Sequence, residues 1–256
     1  MNTTPPKFQE EYAAKIPALT LLSNLGWEYL PPNVALAARN GKTNDVVLRE
    51  VLRDILRQRT FLHAGENHRL SENTIDGLIN ELCTPVLNEG LTSANEQLYN
   101  HMLLGIAVTE FINGRKVSPT IPIIDWHNIE NNRFQFTEEF NVLRSNGVDH
   151  RRPDIVCFVN GLPLVVIEAK RPDNKKLSGP TVDEGISQSL RNQRHDEIPQ
   201  LFAYSQLLLS INGNTGRYGT QGTEQKFWAA WREEDNTESA INDIKNQPLS
   251  QANKQL

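Results

Sequence analysis

Apolar residues recur at helical spacing through the first hundred positions, and at strand spacing after that. Residues 8–25 form an amphipathic pattern closed by Gly26, which predicts a helix ending in a left-handed glycine. Pro17 falls inside it and marks either a kink or a later true start. Residues 27–43, with Pro31-Pro32 and Gly41, read as irregular. Asn44 is placed to cap a second helix over 45–58. Its apolar positions Val47, Leu48, Val51, Leu52, Ile55 and Leu56 make one broad face. Ser71 or Asn73 starts a third helix running to about Asn88 and ended by Gly90, and Ser93 or Asn95 starts a fourth to about Leu104.

The period then changes. Residues 106–126 are rich in β-branched side chains, and Asn113-Gly114 signals a two-residue hairpin. Residues 133–143 alternate as a half-exposed strand does, through Phe134, Phe136, Phe140 and Val142. Two apolar runs within 151–172, broken once at Asn160-Gly161, predict paired strands. Thr181 or Asp183 opens a helix to about Arg194. Pro199 opens a short helical segment, and 205–213 reads as a strand stopped by Asn212-Gly213. After Trp231 the composition turns polar. The whole predicts an α/β fold, a mixed sheet with extra helices in front. It occupies 1–231, with a helical part at 8–104 and a sheet and helix carrying the chemistry at 105–213. The segment 232–256 is a polar linker.

The chemistry gathers in the paired strands. Asp154 precedes the first run, and Glu168, Ala169 and Lys170 end the second. Alternate strand residues share a face, so Glu168 and Lys170 point one way and Ala169 the other. Two carboxylates and a backbone carbonyl suit a hard divalent cation. Asp154, Glu168 and the Ala169 carbonyl are therefore candidate Mg²⁺ ligands. Lys170 is placed to hold the attacking water or to stabilise charge at a scissile phosphate. Register tests this: a plain two-residue turn at Asn160-Gly161 pairs Asp154 with Ile167 and puts it on the wrong face. The chemistry therefore predicts a loop of odd length, built on a type I turn with Gly161 left-handed in a bulge.

Charge and composition narrow the class. The net charge of −5 shows no global basicity, so any nucleic-acid contact must use a local cluster. Arg151, Arg152, Lys170, Arg171, Lys175 and Lys176 provide one around the paired strands. No apolar run approaches a membrane span, and the N-terminus lacks a signal-peptide pattern. Cys83 and Cys157 suggest neither a disulfide framework nor a zinc site, so a cytoplasmic location is expected.

The pair Pro153-Asp154, thirteen residues, then Glu168-Ala169-Lys170 resembles the PD-(D/E)xK nuclease pattern. The longer string DIVCFVNGLPLVVIEAKRP is similar to the N-terminal nuclease domain of the R subunit of type I restriction enzymes. LSNLGWEYL, IIDWHNIENNRFQF and EIPQLFAYSQLLLSING agree with it, so the likeness spans about residues 9–231. The resemblance implies a restriction-endonuclease-like αβββαβ core and Mg²⁺-dependent cleavage of double-stranded DNA by Asp154, Glu168 and Lys170. It implies methylation and specificity subunits as partners, and downstream helicase-like domains that use ATP. This sequence has no G-x-x-x-x-G-K-[ST] motif of its own, so ATP belongs to those motor domains. Such nucleases often carry Q-x-x-x-Y after the lysine strand. Gln188 with Asn192 stands at the expected place, and the literal match Gln200 with Tyr204 comes later; either pair is a candidate to contact DNA or the site. Gln188, with Arg191 beside it, is the favoured DNA-side pair; Arg151 and Arg152 are further DNA contacts. An acid on the first helix often completes the metal site, and Glu11 is the candidate, with Glu10 its neighbour. Two other readings are a RecB- or Mrr-like nuclease and a nuclease-fold docking module.

Overall fold

The computed structural model describes residues 10–172 and 181–230, with isolated positions at 239, 243, 246 and 248. The expected linker at 232–256, apart from those positions, together with Trp231, Lys175 and Lys176, lies outside the described residues.

Among the described residues a seven-stranded sheet organises the chain, and its strands lie side by side in chain order. They are β1 (Glu28–Tyr29), β2 (Phe134–Glu138), β3 (Ile155–Val159), β4 (Leu162–Ala169), β5 (Leu207–Ile211), β6 (Gly216–Gly219) and β7 (Ala229–Ala230). The pairs β1–β2 and β4–β5 are parallel, and the others are antiparallel. A parallel pair needs a crossover. The helical region fills the first, and helix α5 (Thr181–Asn192) fills the second. The mixed α/β sheet expected from the sequence is therefore present.

The sheet buries both faces. Val156, Phe158, Val166 and Leu208 join the larger core with Leu48, Leu52 and Ile186. Ile155, Cys157 and Ile167 face the other way, against Leu19 of α1 (Ile16–Asn24), Tyr29 and Phe136. β2 lies between β1 and β3, with Gln135 and Thr137 buried, so it is an interior strand and not the half-exposed one predicted.

Several boundaries moved. Helix α2 (Arg49–Gln58) starts later than Asn44 predicted, because Val46, Val47 and Leu48 are buried in non-helical backbone and Asp45 accepts from the Val47 N–H. Helix α3 (Glu72–Leu82) is capped by Ser71 as expected, but stops at Cys83; the residue before Pro85 resists helix. Helix α4 (Leu91–Leu104) begins at Gly90. Asn95 does not cap it, and instead donates to the carbonyls of Phe202, Ala203 and Ser205. Sequence periodicity missed the hairpin of Thr60–His63 with Glu66–Arg69, and also β1, β6 and β7. The Asn113-Gly114 hairpin is present, with both turn residues at positive φ.

The first helix is not regular. A wider π turn over Glu11–Lys15 precedes α1. Pro17 has no N–H to give the Ala13 carbonyl, and its ring would crowd that oxygen in a tighter helix; widening the turn relieves both. The loop after β5 runs close by: a Cβ on Gly213 would lie 2.3 Å from the Ala13 oxygen.

Candidate active site

The β3–β4 hairpin turns at Asn160-Gly161 with φ values of 54° and 84°, a two-residue turn that pairs Val159 with Leu162. The odd-length loop predicted from the sequence is absent. The parity it was meant to supply comes from a bulge: Phe158 pairs with Pro163, Cys157 with Val165, and Leu164 is the extra residue. Beyond the bulge Ile155 pairs with Ile167, so Asp154 stands level with Glu168. The sequence did carry the signal. Pro163 has no N–H for the ladder, and an interior strand tolerates proline at a bulge.

The turn is anchored from both sides. Asn160 accepts from the Arg133 N–H and donates to the Ile123 carbonyl and to Asn132 Oδ1. The Gly161 carbonyl accepts from the Leu48 N–H at 2.9 Å, and a Cβ there would lie 2.6 Å from the Leu48 oxygen. The turn end of the hairpin is therefore fixed before any ligand arrives.

At the other end three charges meet. Asp154 Oδ2 accepts from the Ala169 N–H at 2.8 Å and lies 3.4 Å from Lys170 Nζ. Lys170 Nζ donates to the Ala169 carbonyl at 3.0 Å and stands 3.7 Å from Glu168 Oε2. Glu168 is fully buried, and burial, followed by the Asp154 charge, pushes its carboxyl well above the ordinary range. Burial pulls the Lys170 ammonium down, but Asp154, Glu168 and Glu10 outweigh it and raise the pKa.

Helix α5 covers this end. Gly185 permits the approach: a Cβ there would lie 2.3 Å from Ser210 Oγ and 3.3 Å from the Glu168 Cβ. Ser210 Oγ donates to the Val182 carbonyl, and Asn212 donates to Thr181 Oγ1, which fixes the helix start. One turn on, Gln188 Nε2 donates to Glu168 Oε2 at 2.6 Å. Glu168 Oε1 is buried and has no hydrogen-bond partner among the described residues.

The other sequence candidates divide. Arg191 is exposed on α5. Asn192 is buried and does not reach outward. Gln200 donates to the Leu143 carbonyl, and Tyr204 is buried with its hydroxyl on the Leu82 carbonyl. Tyr204 is core, which corrects the expectation of DNA contact for it, and Gln200 is half-buried: the short helix Pro199–Phe202 packs inward under α4. Arg151 is held by Glu197 through two bonds, at 2.6 and 2.8 Å. Arg152 is exposed and paired with Glu139 at 2.6 Å. Asp125 accepts from the His127 and Asn128 N–H groups and caps its own loop away from the site. Trp228 packs against Gly219, while Trp126 is half exposed.

Of the two acids on the first helix, Glu10 reaches the site. Its Oε1 is 4.0 Å from Lys170 Nζ, and Glu11 points to solvent. Among the described residues no three His, Cys, Asp or Glu side chains are grouped to hold a metal by themselves. The donor set at hand is all oxygen: the Asp154 and Glu168 carboxylates, the free Glu168 Oε1 and the Ala169 carbonyl. That set fits Mg²⁺, which takes one or two carboxylates and keeps several waters.

Comparison with known proteins finds relatives over most of the chain. A family model described as the type I restriction enzyme R protein N terminus matches residues 7–227. The type I restriction enzyme HindI endonuclease subunit of Haemophilus influenzae is 30% identical over 224 residues, covering 85% of this chain and 20% of that protein. The EcoprrI endonuclease subunit of Escherichia coli is 29% identical over 231 residues, 88% of this chain and 64% of its own length. The chain thus spans about a fifth of the HindI subunit.

Proposed function

The chain belongs to the family of type I restriction enzyme R protein N-terminal domains, and from that premise we propose that it is the DNA-cutting domain of such a subunit. The reading is of a Mg²⁺-dependent PD-(D/E)xK endonuclease. The observation that carries it is Asp154 level with Glu168, with Lys170 Nζ within 4 Å of both. The order α1, β2, β3, β4, α5, β5 supports an αβββαβ core.

Asp154, Glu168 and the Ala169 carbonyl would hold the cation. Mg²⁺, when bound, supplies a more acidic water and neutralises charge on phosphate oxygens. Gln188 fixes one Glu168 oxygen and leaves the other free to bind. The Lys170 ammonium, kept charged by three carboxylates, donates to the attacking water or to the scissile phosphate. Burial raises the affinity of Glu168 for a proton, and a bound cation would compete with that proton.

DNA is the substrate of this reading, and Arg152, Arg171 and Arg191 are its exposed cations near the site. Methylation and specificity subunits, and ATP-driven motor domains outside this chain, complete the enzyme, which works in the cytoplasm. Among the described residues no helix is long and apolar enough to cross a membrane. In the full-length subunit, D154A or K170A should abolish cleavage and leave ATP hydrolysis intact. Loss of both activities together would sink the assignment.

A further inference from the structure

We propose that Lys15 is a positioning residue: it clamps the first helix to the end of β2 and thereby delivers Glu10 to the cation site. The inference rests on the nuclease reading and goes beyond it, because Lys15 touches none of the reacting groups.

The geometry poses a problem that Lys15 solves. Helix α1 packs on the sheet face that carries Ile155, Cys157 and Ile167. Glu168 points to the opposite face, under α5. Glu10 can approach Lys170 only if the start of the helix overhangs the end of the sheet at the right height. Apolar packing of the helix runs through Leu19, and Ala14 is buried within the π turn; Lys15, next to Ala14, adds a charged contact to the end of β2.

Lys15 meets two consecutive residues at the end of β2. Its Nζ is 3.0 Å from Glu138 Oε2 and 2.7 Å from Glu139 Oε1, with the side chain largely buried. Tyr29 donates to the other Glu138 oxygen at 3.1 Å. Glu139 adopts φ of 50°, which turns it out of the strand, and its second oxygen takes Arg152. The same residue is bonded to the catalytic strand: the Glu139 N–H donates to the Asp154 carbonyl at 2.9 Å, and the Phe140 N–H to that of Pro153 at 3.0 Å. One short path therefore links Lys15 to the backbone of Asp154.

The π turn places Glu10 and Lys15 on one side. Glu10, Glu11, Lys15, Glu139 and Arg152 line a single cavity of about 490 Å³, and Glu10 links it to Lys170 at 4.0 Å. Hydrogen bonds to Glu139 and Glu138 outweigh burial and raise the Lys15 pKa, so the clamp stays charged at neutral pH.

The test uses the full-length polypeptide without nucleotide, titrated calorimetrically with MnCl₂, and D154A defines the signal of this site. K15M and E10Q should each weaken Mn²⁺ binding about tenfold, the low end for residues that orient a metal site from behind. K15R should restore most of the affinity. The double variant K15M/E10Q should be no weaker than either single one, because Lys15 acts through Glu10. Amide exchange should speed up over residues 11–16 in K15M and stay unchanged over 155–169. Wild-type affinity in K15M, or additive losses in the double variant, would overturn the clamp while D154A still upholds the nuclease reading. A D154A protein that binds Mn²⁺ like wild type would overturn that reading, and the clamp with it. Should K15M fail to fold, E139Q, which weakens the same contact, carries the same expectations.

Discussion

Asp154 faces Glu168 because Leu164 is one residue too many. The Asn160-Gly161 turn alone would pair Asp154 with Ile167, and the bulge moves the register by one. Side chains alternate with period two, so that single residue decides which face the second carboxylate occupies. Deleting Leu164 should remove cleavage entirely. A compensating insertion of one residue in the turn should recover part of it, read as nicking of plasmid DNA by the full-length enzyme.

The far end of the hairpin gives a stability prediction free of the chemistry. Gly161 at φ of 84° has no room for a Cβ against the Leu48 carbonyl. G161A should cost about 1–3 kcal/mol through backbone strain and crowding. Denaturant unfolding measures it. A change under half a kcal/mol would mean that the turn does not seat on α2 as described.

Gly185 sets how closely α5 approaches Glu168. G185A should destabilise by about 1–3 kcal/mol and lower cleavage by moving Gln188 off Glu168. Adding S210A removes the nearest atom, the hydroxyl 2.3 Å from the added carbon. The double variant should be more stable than G185A alone. If it is not, the contact with Ser210 is not what limits the helix.

Gln188 and Tyr204 separate cleanly. Y204F removes a buried hydroxyl bonded to the Leu82 carbonyl, and should cost about 1 kcal/mol of stability with cleavage unchanged. Q188A leaves a buried Glu168 oxygen without its donor, and should cut cleavage far more than it lowers stability. Equal activity losses in the two variants would contradict the assignment of Gln188 to the site and Tyr204 to the core.

Glu168 gives a pH signature in the metal-free protein. Burial and the Asp154 charge raise its pKa above 4.5, so the folded chain holds that proton more tightly than the unfolded one. Its contribution is full below that value, and stability is lost as pH rises through the folded pKa, at about 1.4 kcal/mol per unit of elevation. Lys170 is also raised, but its contribution fades only above 10.5, outside this window. With chelator present, E168Q should flatten the decline in unfolding free energy as pH rises above 4.5. An unchanged slope would show that Glu168 does not titrate in the range its burial requires.

Residue types and short-range spacing settled much of this protein. Helices α1 to α4, the Asn113-Gly114 hairpin, the paired strands 155–169 and helix α5 follow from apolar period and turn residues, because each is a local preference. The grouping of Asp154, Glu168 and Lys170 was equally legible; Gln188, about two turns into α5, was expected to contact DNA, and the structure brings it onto Glu168. What the sequence could not rank were contacts between distant segments. Gln200 and Tyr204 match a motif letter for letter, yet Tyr204 is spent on the Leu82 carbonyl, 122 residues away in the chain. Glu10 and Glu11 are equivalent neighbours in sequence, and only the way the first helix packs on the sheet decides which of them faces Lys170. The bulge lies between the two cases. Pro163 announced it locally, but its consequence, two carboxylates on one face, exists only once β3 and β4 are paired, since register is a property of two strands and not of either one.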